Sequence, residues 1–256
     1  MKKFLRSFQD QAAYDAAKQR EDFYKPCVSL IGGSSLQYDP LAAVPEGFVD
    51  LGLPSGLLWY SKNIGATNGN TAESWYGNYY AWGSTQTQES YDGNNCPYCT
   101  LWDDEVEEYR FTKYIPTDMT DYWDSTGDPD NKLVLDLTDD VANVTFGFNY
   151  RMPTQAELNE LIALPNQWVT NYNGVSGLNG KLFTGNGNTL FIPAAGYYHS
   201  GSDIRYVGSD CRLWSSSLCL DSPNYAYGLY FVSDDIGTNY YSRFRGFNVR
   251  PVLSVS

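Results

Sequence analysis

One stretch, residues 151–165 (RMPTQAELNELIALP), carries a complete helix signal, and the rest of the sequence does not. Thr154 and Glu157 stand three residues apart and predict a capping box at the start of this helix. An apolar stripe at helical spacing follows, made of Leu158, Leu161 and Ile162. Pro165 predicts the end of the helix. Elsewhere, short apolar runs are separated by Gly, Asn, Ser and Asp, a pattern typical of strands and turns. We therefore expect an α+β fold made mostly of short β-strands and long ordered loops.

The formal net charge of −13 restricts the partners of this protein. An acidic surface repels phosphate backbones, so we expect no nucleic-acid binding. The negative excess falls in residues 1–181, because five Arg and five Asp balance each other from Leu182 on. No apolar stretch is long enough to span a membrane, and none follows Lys2 and Lys3 as it would in a signal peptide. We therefore expect no membrane insertion and recognise no export signal.

The sequence predicts two parts along the chain. Residues 1–46 are expected to form a helix (1–24) and a hairpin (26–40), which together are too small to hold a core and are suited to docking or assembly. Residues 47–256 are expected to form the main domain, which begins with two short strands around the Pro-Ser-Gly turn of FVDLGLPSGLLW. Residues 68–132 are rich in Tyr, Trp, Asn, Gly and Asp and predict an insertion of ordered loops rather than disorder.

Six strings occur together in an order that resembles a known family. They are VDLGLPSGLLW (49–59), GNYYAWG (77–83), RMPTQAEL (151–158), IPAAGY (192–197), LWSSS (213–217) and NVRPV (248–252). The family they resemble is a paralogous domain of gut bacteria and their phages, related to the formylglycine-generating type of C-type lectin fold. The resemblance covers roughly residues 47–256 and implies a C-type-lectin-like fold whose closing strand pairs back into the sheet. Residues 1–46 resemble the leader of phage tail-associated members.

A subset of this family consists of the variable proteins of diversity-generating retroelements. In that subset, adenine-directed mutagenesis at the 3′ end of the gene produces codons that never encode Lys, Glu, Gln, Met or Trp. From Leu182 to Ser256 this sequence contains no Lys, Glu, Gln or Met, and Trp214 is the only Trp. A β-rich surface that favours Asn, Ser, Asp and Tyr is the alternative explanation. The resemblance and the composition together predict a variable ligand-binding region at about residues 197–248.

The predicted binding region has the composition of an adaptable recognition surface. Tyr offers a large contact area with few rotatable bonds, Ser, Gly and Asn offer adaptable hydrogen bonds, and Arg offers planar donors. The candidate ligand-binding residues are Tyr198, His199, Asp203, Arg205, Tyr206, Asp210, Cys211, Arg212, Cys219, Asp221, Asn224, Tyr225, Tyr227, Tyr230, Asp234, Asp235, Asn239, Tyr240, Tyr241, Phe244, Arg245 and Phe247. The residues expected to act as framework between them are Ala194, Ala195, Gly196, Trp214, Ser215, Ser216 and Val249.

Catalytic chemistry has weaker support in the sequence. Cys96 and Cys99 form a C-x-x-C, for which a redox motif, a local disulfide, a metal half-site and two unpaired loop cysteines remain open. Five cysteines in a chain of this size favour reduced thiols. Cys211 and Cys219 invite comparison with the cysteine pair of the formylglycine-generating enzymes, but their flanks lack that enzyme's pattern. His199 is the only histidine, so a catalytic triad is poorly supported.

Calcium is the metal that the sequence suggests most. The acidic run at 103–108 and the DPDN string at 128–131 offer carboxylate oxygens, but neither has the spacing of an EF-hand loop. A solvated acidic surface explains both segments, so we expect no bound metal and no other cofactor.

Taken together, these patterns predict a non-enzymatic protein that binds a host cell-surface protein or glycan, as a phage tail-associated host-recognition component. We expect it in a virion or at a cell surface, as a homo-oligomer whose copies raise avidity. Residues 1–46 would contact other tail or surface-assembly proteins. Two alternatives are a non-diversified glycan-binding surface lectin of a bacterium and an oxidase of the formylglycine-generating type.

Overall fold

Short strands account for most of the regular structure in the computed structural model, which describes residues 44–103, 108–147 and 149–254. The strands are β1 (Phe48–Asp50), β2 (Leu58–Tyr60), β3 (Tyr79–Tyr80), β4 (Cys99–Asp103), β5 (Glu108–Phe111), β6 (Tyr150–Arg151), β7 (Asn166–Val169), β8 (Gly180–Gly185), β9 (Asn188–Pro193), β10 (Tyr197–Tyr198), β11 (Ile204–Arg205), β12 (Cys211–Leu218), β13 (Tyr225–Phe231), β14 (Ile236–Ser242), β15 (Phe247–Asn248) and β16 (Val252–Leu253). The α-helices are α1 (Glu73–Tyr76), α2 (Val141–Phe146) and α3 (Gln155–Ile162). The prediction of a mixed fold made mostly of strands is confirmed.

These elements belong to one compact unit, Pro45–Val255. The helix predicted over 1–24 and the hairpin predicted over 26–40 lie outside the described residues. Within the described ranges, no helix is both long and apolar enough to cross a membrane.

Helix α3 begins with the predicted capping box. The Glu157 N–H donates to Thr154 Oγ1 at 3.3 Å, and the Thr154 N–H donates back to Glu157 Oε2 at 2.7 Å. Arg151 adds two hydrogen bonds to the same carboxylate, at 2.7 and 2.6 Å. This pair holds the pKa of Glu157 below its usual value against the opposing effect of burial. The helix ends at Ile162, three residues before Pro165.

Five sheets divide the strands. The largest has the order β14–β13–β12–β15–β3, and β12 and β15 are its parallel pair. A four-stranded sheet has the order β1–β2–β16–β6, where Val252 pairs with Trp59. The closing strand therefore returns to the first hairpin of the domain. The remaining sheets are β7–β8–β9 and the two-stranded ribbons β4–β5 and β10–β11.

Two apolar clusters lie on opposite sides of the five-stranded sheet. Leu158 and Leu161 of α3 pack on Leu213 and Leu229 in the first cluster. The second cluster surrounds Trp214 and includes Trp82, Tyr197, Tyr241 and Phe247. Both faces of the sheet are thus partly covered by the domain itself. The uncovered parts of the two faces remain available for contact with a ligand.

Two fully buried arginines fix the tail of the chain to the rest of the domain. Arg250 donates to Asn63 Oδ1 at 2.9 Å and to the backbone carbonyls of Tyr60 and Phe191. Arg243 donates to the carbonyls of Pro223 and Lys113, both at 3.3 Å. Burial lowers the pKa of each guanidinium to about 9. These arginines have structural partners, so they are part of the scaffold.

Candidate functional site

Strand pairing divides the candidate binding residues between two faces of the β12–β13–β14 hairpins. Arg212 pairs with Tyr230, and Ala226 pairs with Tyr241. Because side chains alternate along a strand, Arg212, Tyr230 and Tyr241 share one face. Tyr227 pairs with Tyr240 on the other face. The candidate residues that the sequence groups in one region therefore lie on two faces of these hairpins.

The first surface is centred on an arginine surrounded by tyrosines, and we call it the Arg–Tyr face. Its members are Tyr197, His199, Arg205, Tyr206, Asp210, Arg212, Tyr230, Tyr241 and Arg245. Strands β10, β11, β12, β13 and β14, the loop residues next to β10, β11 and β12, and the turn after β14 supply these residues. The surface therefore depends on the whole tail of the chain and not on one loop.

Arg212 is held rigidly at the centre of this face. Its guanidinium carbon lies 5.0 Å from the ring centre of Tyr197, 5.2 Å from that of Tyr230 and 5.3 Å from that of Tyr241. These distances are within the range of cation–π attraction. Asp210 forms an ion pair with Arg212 at 2.9 Å, and the two side chains are 11% and 14% exposed. Burial nevertheless raises the pKa of Asp210 to about 6, although Arg212 opposes the shift.

Arg205 and Arg245 stand at the edge of the same face and differ from Arg212 in lacking an acidic partner. Within the described ranges, neither guanidinium forms a hydrogen bond or an ion pair. Arg245 is half-buried and lies 5.9 Å from the ring centre of Tyr241. Both arginines, together with burial, lower the pKa of His199. The edge of the face therefore carries unpaired positive charge in a strongly acidic protein.

The exposed rim of the Arg–Tyr face is apolar. Ile204 is 38% exposed, Tyr206 58% and Val207 44%, and all three lie in or beside β11. Tyr206 has a φ of 59°, in the left-handed region that bulky side chains rarely adopt. The Tyr197 ring lies 5.9 Å from the Tyr206 ring. This backbone conformation turns a large aromatic side chain towards solvent at a cost of about 1 kcal/mol or more.

The second surface is a group of three tyrosines, which we call the tyrosine ridge: Tyr225, Tyr227 and Tyr240. The Tyr240 ring packs edge-on against Tyr225 at 5.4 Å and against Tyr227 at 6.4 Å. Tyr240 is 51% exposed, and the other two rings are partly buried. No arginine is within cation–π distance of these rings in the described part of the chain. The ridge thus offers aromatic area without the charge of the first surface.

Six predicted contact residues are buried, which corrects their assignment as freely exposed ligand contacts. They are Asp210, Cys211, Cys219, Asn224, Tyr241 and Phe247. Phe247 stacks on Trp214 at 4.2 Å, and Tyr241 packs edge-on against Phe247 at 5.0 Å. Cys211 belongs to the cluster beneath α3. Burial assigns the two aromatic rings and Cys211 to the core, while Asp210 acts through Arg212.

The other candidate residues reach solvent to different degrees. The exposed ones are Asp203, Arg205, Tyr206, Asp221, Asp234, Asp235, Asn239 and Tyr240, and the half-buried ones are Tyr198, His199, Arg212, Tyr225, Tyr227, Tyr230, Phe244 and Arg245. Tyr198 stacks on Tyr91 at 4.7 Å, and Phe244 packs against Tyr109 at 6.3 Å. Through these two contacts, Tyr91 and Tyr109 pack against the tail of the chain.

Sequence reasoning missed three members of the Arg–Tyr face and its rim: Tyr197, Ile204 and Val207. Tyr197 closes the IPAAGY string and begins the predicted region of 197–248 without being a candidate contact residue, yet the Arg212 guanidinium lies over its ring. The two aliphatic residues flank Arg205 and Tyr206 in a segment dense in polar residues. The sequence does contain a signal for Ile204 and Val207, because two apolar residues on either side of predicted contact residues are uncommon in a solvated loop.

The predicted framework residues are buried and interlocked. The Trp214 indole N–H donates to the Tyr80 carbonyl at 2.8 Å, and the Trp82 indole N–H donates to the Ser215 carbonyl at 2.8 Å. Ser215 also donates its hydroxyl to the Tyr227 carbonyl at 2.7 Å. This reciprocal pair of tryptophans ties β12 to the segment around β3. It supports both surfaces from below.

Among the described cysteines, one pair differs from the expectation of reduced thiols and two residues agree with it. Cys96 and Cys99 form a disulfide across a Cα–Cα distance of 5.3 Å, which selects one of the alternatives open from the sequence. Cys211 and Cys219 are free and buried, and they stand at the first residue of β12 and just after its last, about 26 Å apart for a fully extended strand. Burial also raises the pKa of Cys211 well above its usual value. These two thiols therefore do not form a common site.

The segments suggested for calcium have other roles or fall outside the description. Asp130 of the DPDN string accepts the N–H groups of Tyr114 and Ile115, both at 3.0 Å, and so closes a loop. Residues 104–107 of the acidic run are not described. Among the described residues, no group of three or more His, Cys, Asp or Glu side chains is arranged to hold a metal ion.

Comparisons of this chain with protein-family models, with curated proteins and with solved structures give no match.

Proposed function

We propose that this protein is a non-enzymatic ligand-binding protein that uses the Arg–Tyr face for recognition, on a C-type-lectin-like fold. The observation that carries the proposal is the placement of Tyr206. A large ring is 58% exposed on a left-handed backbone, directly beside a rigid arginine–tyrosine cluster. Backbone strain costs stability, and folds keep it mainly at functional sites. A strained backbone that exposes a tyrosine is therefore expected where that tyrosine contacts a partner.

The division between framework and surface supports the same proposal. The buried Trp214, Ser215 and Ser216 satisfy backbone groups within the domain, whereas the Arg–Tyr face presents tyrosines and arginines in partly desolvated positions. Tyr and Arg are the residues that most often dominate binding energy at protein surfaces. A rigid scaffold beneath a variable surface is also what diversification by a retroelement requires. The absence of Lys, Glu, Gln and Met after Lys181 is the sequence evidence for it.

The biological role proposed is recognition of a host cell-surface ligand by a phage tail component or a surface protein. This part rests on the resemblance of the six strings and of residues 1–46. We propose that several copies act together through residues 1–46, since linked copies raise avidity without new contacts. The location proposed is accordingly a virion or a cell surface.

The decisive binding experiment compares two exposed tyrosines on opposite faces. Tyr206→Asn and Tyr240→Asn remove similar exposed rings, 58% and 51% exposed, and Asn tolerates the left-handed backbone at 206. Binding of fluorescently labelled protein to a panel of bacterial cells is measured for both variants. We expect Tyr206→Asn to weaken binding by about tenfold or more and Tyr240→Asn to change it by less than about threefold. The reverse order would assign recognition to the tyrosine ridge, and equal small effects would refute both surfaces.

The genetic part of the proposal has its own test. A template repeat and a reverse transcriptase gene beside this gene, with mismatches confined to adenines, are expected. Their absence would leave the alternative of a non-diversified glycan-binding lectin, for which binding should be lost on chelation of calcium. An oxidase would need Cys211 and Cys219, so a double Cys→Ser variant with unchanged cell binding supports the non-enzymatic proposal.

A further inference from the structure

The Arg–Tyr face carries two arginines whose charge no acidic side chain in the described ranges balances, although the protein as a whole is strongly acidic. The chain has 30 Asp and Glu residues against 17 Lys and Arg residues. In the described ranges, Lys113, Lys132 and Arg151 all pair with carboxylates. Arg205 and Arg245 have no acidic partner despite this surplus. An acidic protein has thus left two arginines unpaired at one place.

Arg245 is unlike an ordinary surface arginine because it is partly desolvated. Its Nε atom is shielded from solvent and has no hydrogen-bond acceptor, and the same is true of Arg212 Nε. Burial lowers the pKa of Arg245, and the positive charge of Arg212 lowers it further. A desolvated cation without a counter-charge is unfavourable. An incoming carboxylate would therefore form strong charge-assisted hydrogen bonds with this guanidinium without displacing an existing acidic partner.

From these contacts we propose that the Arg–Tyr face receives a carboxylate side chain, Asp or Glu, presented by a protein partner, with Arg245 as its principal contact. This inference rests on the proposed binding function and specifies the chemistry of its ligand. Arg205 and the ring of Tyr206 border the same position, and Tyr241 fixes the Arg245 guanidinium from the side. Arginine suits this role because its planar donors match a carboxylate.

The surroundings of the face favour a protein over an acidic polysaccharide. Asp234 and Asp235 are exposed, and Asp235 accepts a hydrogen bond from Tyr230 at 3.1 Å, so acidic side chains adjoin this face beside Tyr230. With a net charge of −13, the protein repels a polymer that carries many carboxylates. A partner surface with one carboxylate surrounded by basic residues would complement both the arginines of this face and the acidic side chains beside it. The exposed Ile204 and Val207 add apolar contact of the kind that protein interfaces bury.

His199 provides a unique reporter for this interaction. It is the only histidine in the chain, so its ring C–H signals stand alone in a ¹H–¹³C spectrum. Burial lowers its pKa, and Arg245 and Arg205 lower it further, so a carboxylate bound beside these arginines would raise it. The titration is performed with N-acetylglutamate amide at constant ionic strength. The neutral isostere N-acetylglutamine amide and the acidic sugar glucuronate are run in parallel.

The expected result is a saturable shift of the His199 signals and a raised His199 pKa with N-acetylglutamate amide, and neither with N-acetylglutamine amide. Arg245→Gln should weaken the response by about tenfold or more, because the charge-assisted contact is lost. Lys62→Gln removes one positive charge away from this face and should keep the wild-type response. An unsaturable shift, or equal responses in the two variants, would show only general screening and overturn the proposal.

Two further outcomes separate this inference from the function on which it rests. If glucuronate saturates the site at lower concentration than N-acetylglutamate amide, the partner is an acidic glycan and the choice of a protein is wrong. If no carboxylate saturates the site while Tyr206→Asn still abolishes binding to cells, the face is a binding surface but not a carboxylate site. If no carboxylate saturates the site and Tyr206→Asn also leaves binding to cells unchanged, the proposed binding function of this face is itself refuted.

Discussion

The substitution Trp214→Phe tests whether the buried tryptophan pair supports the surface without being part of it. Trp214 is fully buried, and its indole N–H is bonded to the Tyr80 carbonyl at 2.8 Å. Its ring stacks on Phe247 at 4.2 Å. Phenylalanine keeps one aromatic ring but removes both the donor and the five-membered ring. The perturbation therefore acts on the junction of β12 with the segment around β3 and leaves every exposed side chain unchanged.

The free energy of unfolding should fall by about 3 kcal/mol. Loss of a buried donor that leaves its acceptor without this bond costs about 1–3 kcal/mol. The cavity left beside Phe247 adds about 1–2 kcal/mol, because a packed core collapses only partly around the smaller ring. In a domain of about 200 residues each kcal/mol lowers the melting temperature by about 2–4 °C. The melting temperature should thus fall by about 6–12 °C.

Trp123→Phe is the matched control, because the Trp123 indole N–H donates to the Gly127 carbonyl in an exposed loop at 3.0 Å. Its cost should stay below about 1 kcal/mol, since water replaces the lost bond. Urea denaturation followed by far-ultraviolet circular dichroism gives both values, and the cell-binding assay is run on each variant at a temperature where it is folded. Equal costs for the two variants would refute the framework role of Trp214. A loss of binding by folded Trp214→Phe would refute the separation of framework from surface.

Three further predictions concern local features. Tyr206→Asn should raise the free energy of unfolding by about 0.5–1 kcal/mol while weakening binding, because Asn tolerates the φ of 59°; a loss of stability in thermal melts would contradict the strain argument. Asp140 has its pKa raised to about 6 by burial, so its contribution to stability is present below its usual pKa and is lost as the pH rises through 6. Relative to Asp140→Asn, the wild-type protein should therefore lose up to about 3 kcal/mol between pH 4 and pH 7, and parallel pH profiles in urea would rule this out. Replacing both Cys96 and Cys99 by Ser should cost about 2 kcal/mol for so short a loop, whereas a reducing agent should leave the melting temperature of that variant unchanged.

Local signals predicted the parts of the fold that local interactions determine. Thr154 and Glu157 specify the start of α3 through bonds between neighbours in the sequence, and the structure forms both bonds. The Pro-Ser-Gly turn likewise joins β1 to β2, whose first pair is Phe48 with Tyr60. The predicted framework residue Trp214 is buried for the same kind of reason, since its large apolar ring has a strong preference for the core.

Sequence reasoning could not assign faces, because the assignment depends on strand register. Tyr240 and Tyr241 are chemically identical neighbours, yet one is 51% exposed and the other 9%. Their pairing with Tyr227 and Ala226 on β13 decides which ring enters the core. A register shift in β12 between Trp214 and Leu218 further interrupts simple alternation. Long-range pairing of this kind leaves no trace in the residue types alone.

The composition of the tail indicates which segment of the chain would be diversified, whereas burial indicates which positions within that segment can vary. The missing residue types are absent from buried and exposed positions alike, so composition marks a segment and not a surface. Tyr241 and Phe247 lie within that segment but pack around Trp214, where a small or polar replacement would cost about 3–5 kcal/mol. Arg205 and Tyr206 face solvent, where most replacements cost less than about 0.5 kcal/mol. If the segment is diversified, folded variants should therefore differ mainly at exposed positions such as 205 and 206, while 241 and 247 keep large apolar rings. A set of natural or library variants with free exchange at 241 and 247 would require a register other than the pairing of Ala226 with Tyr241.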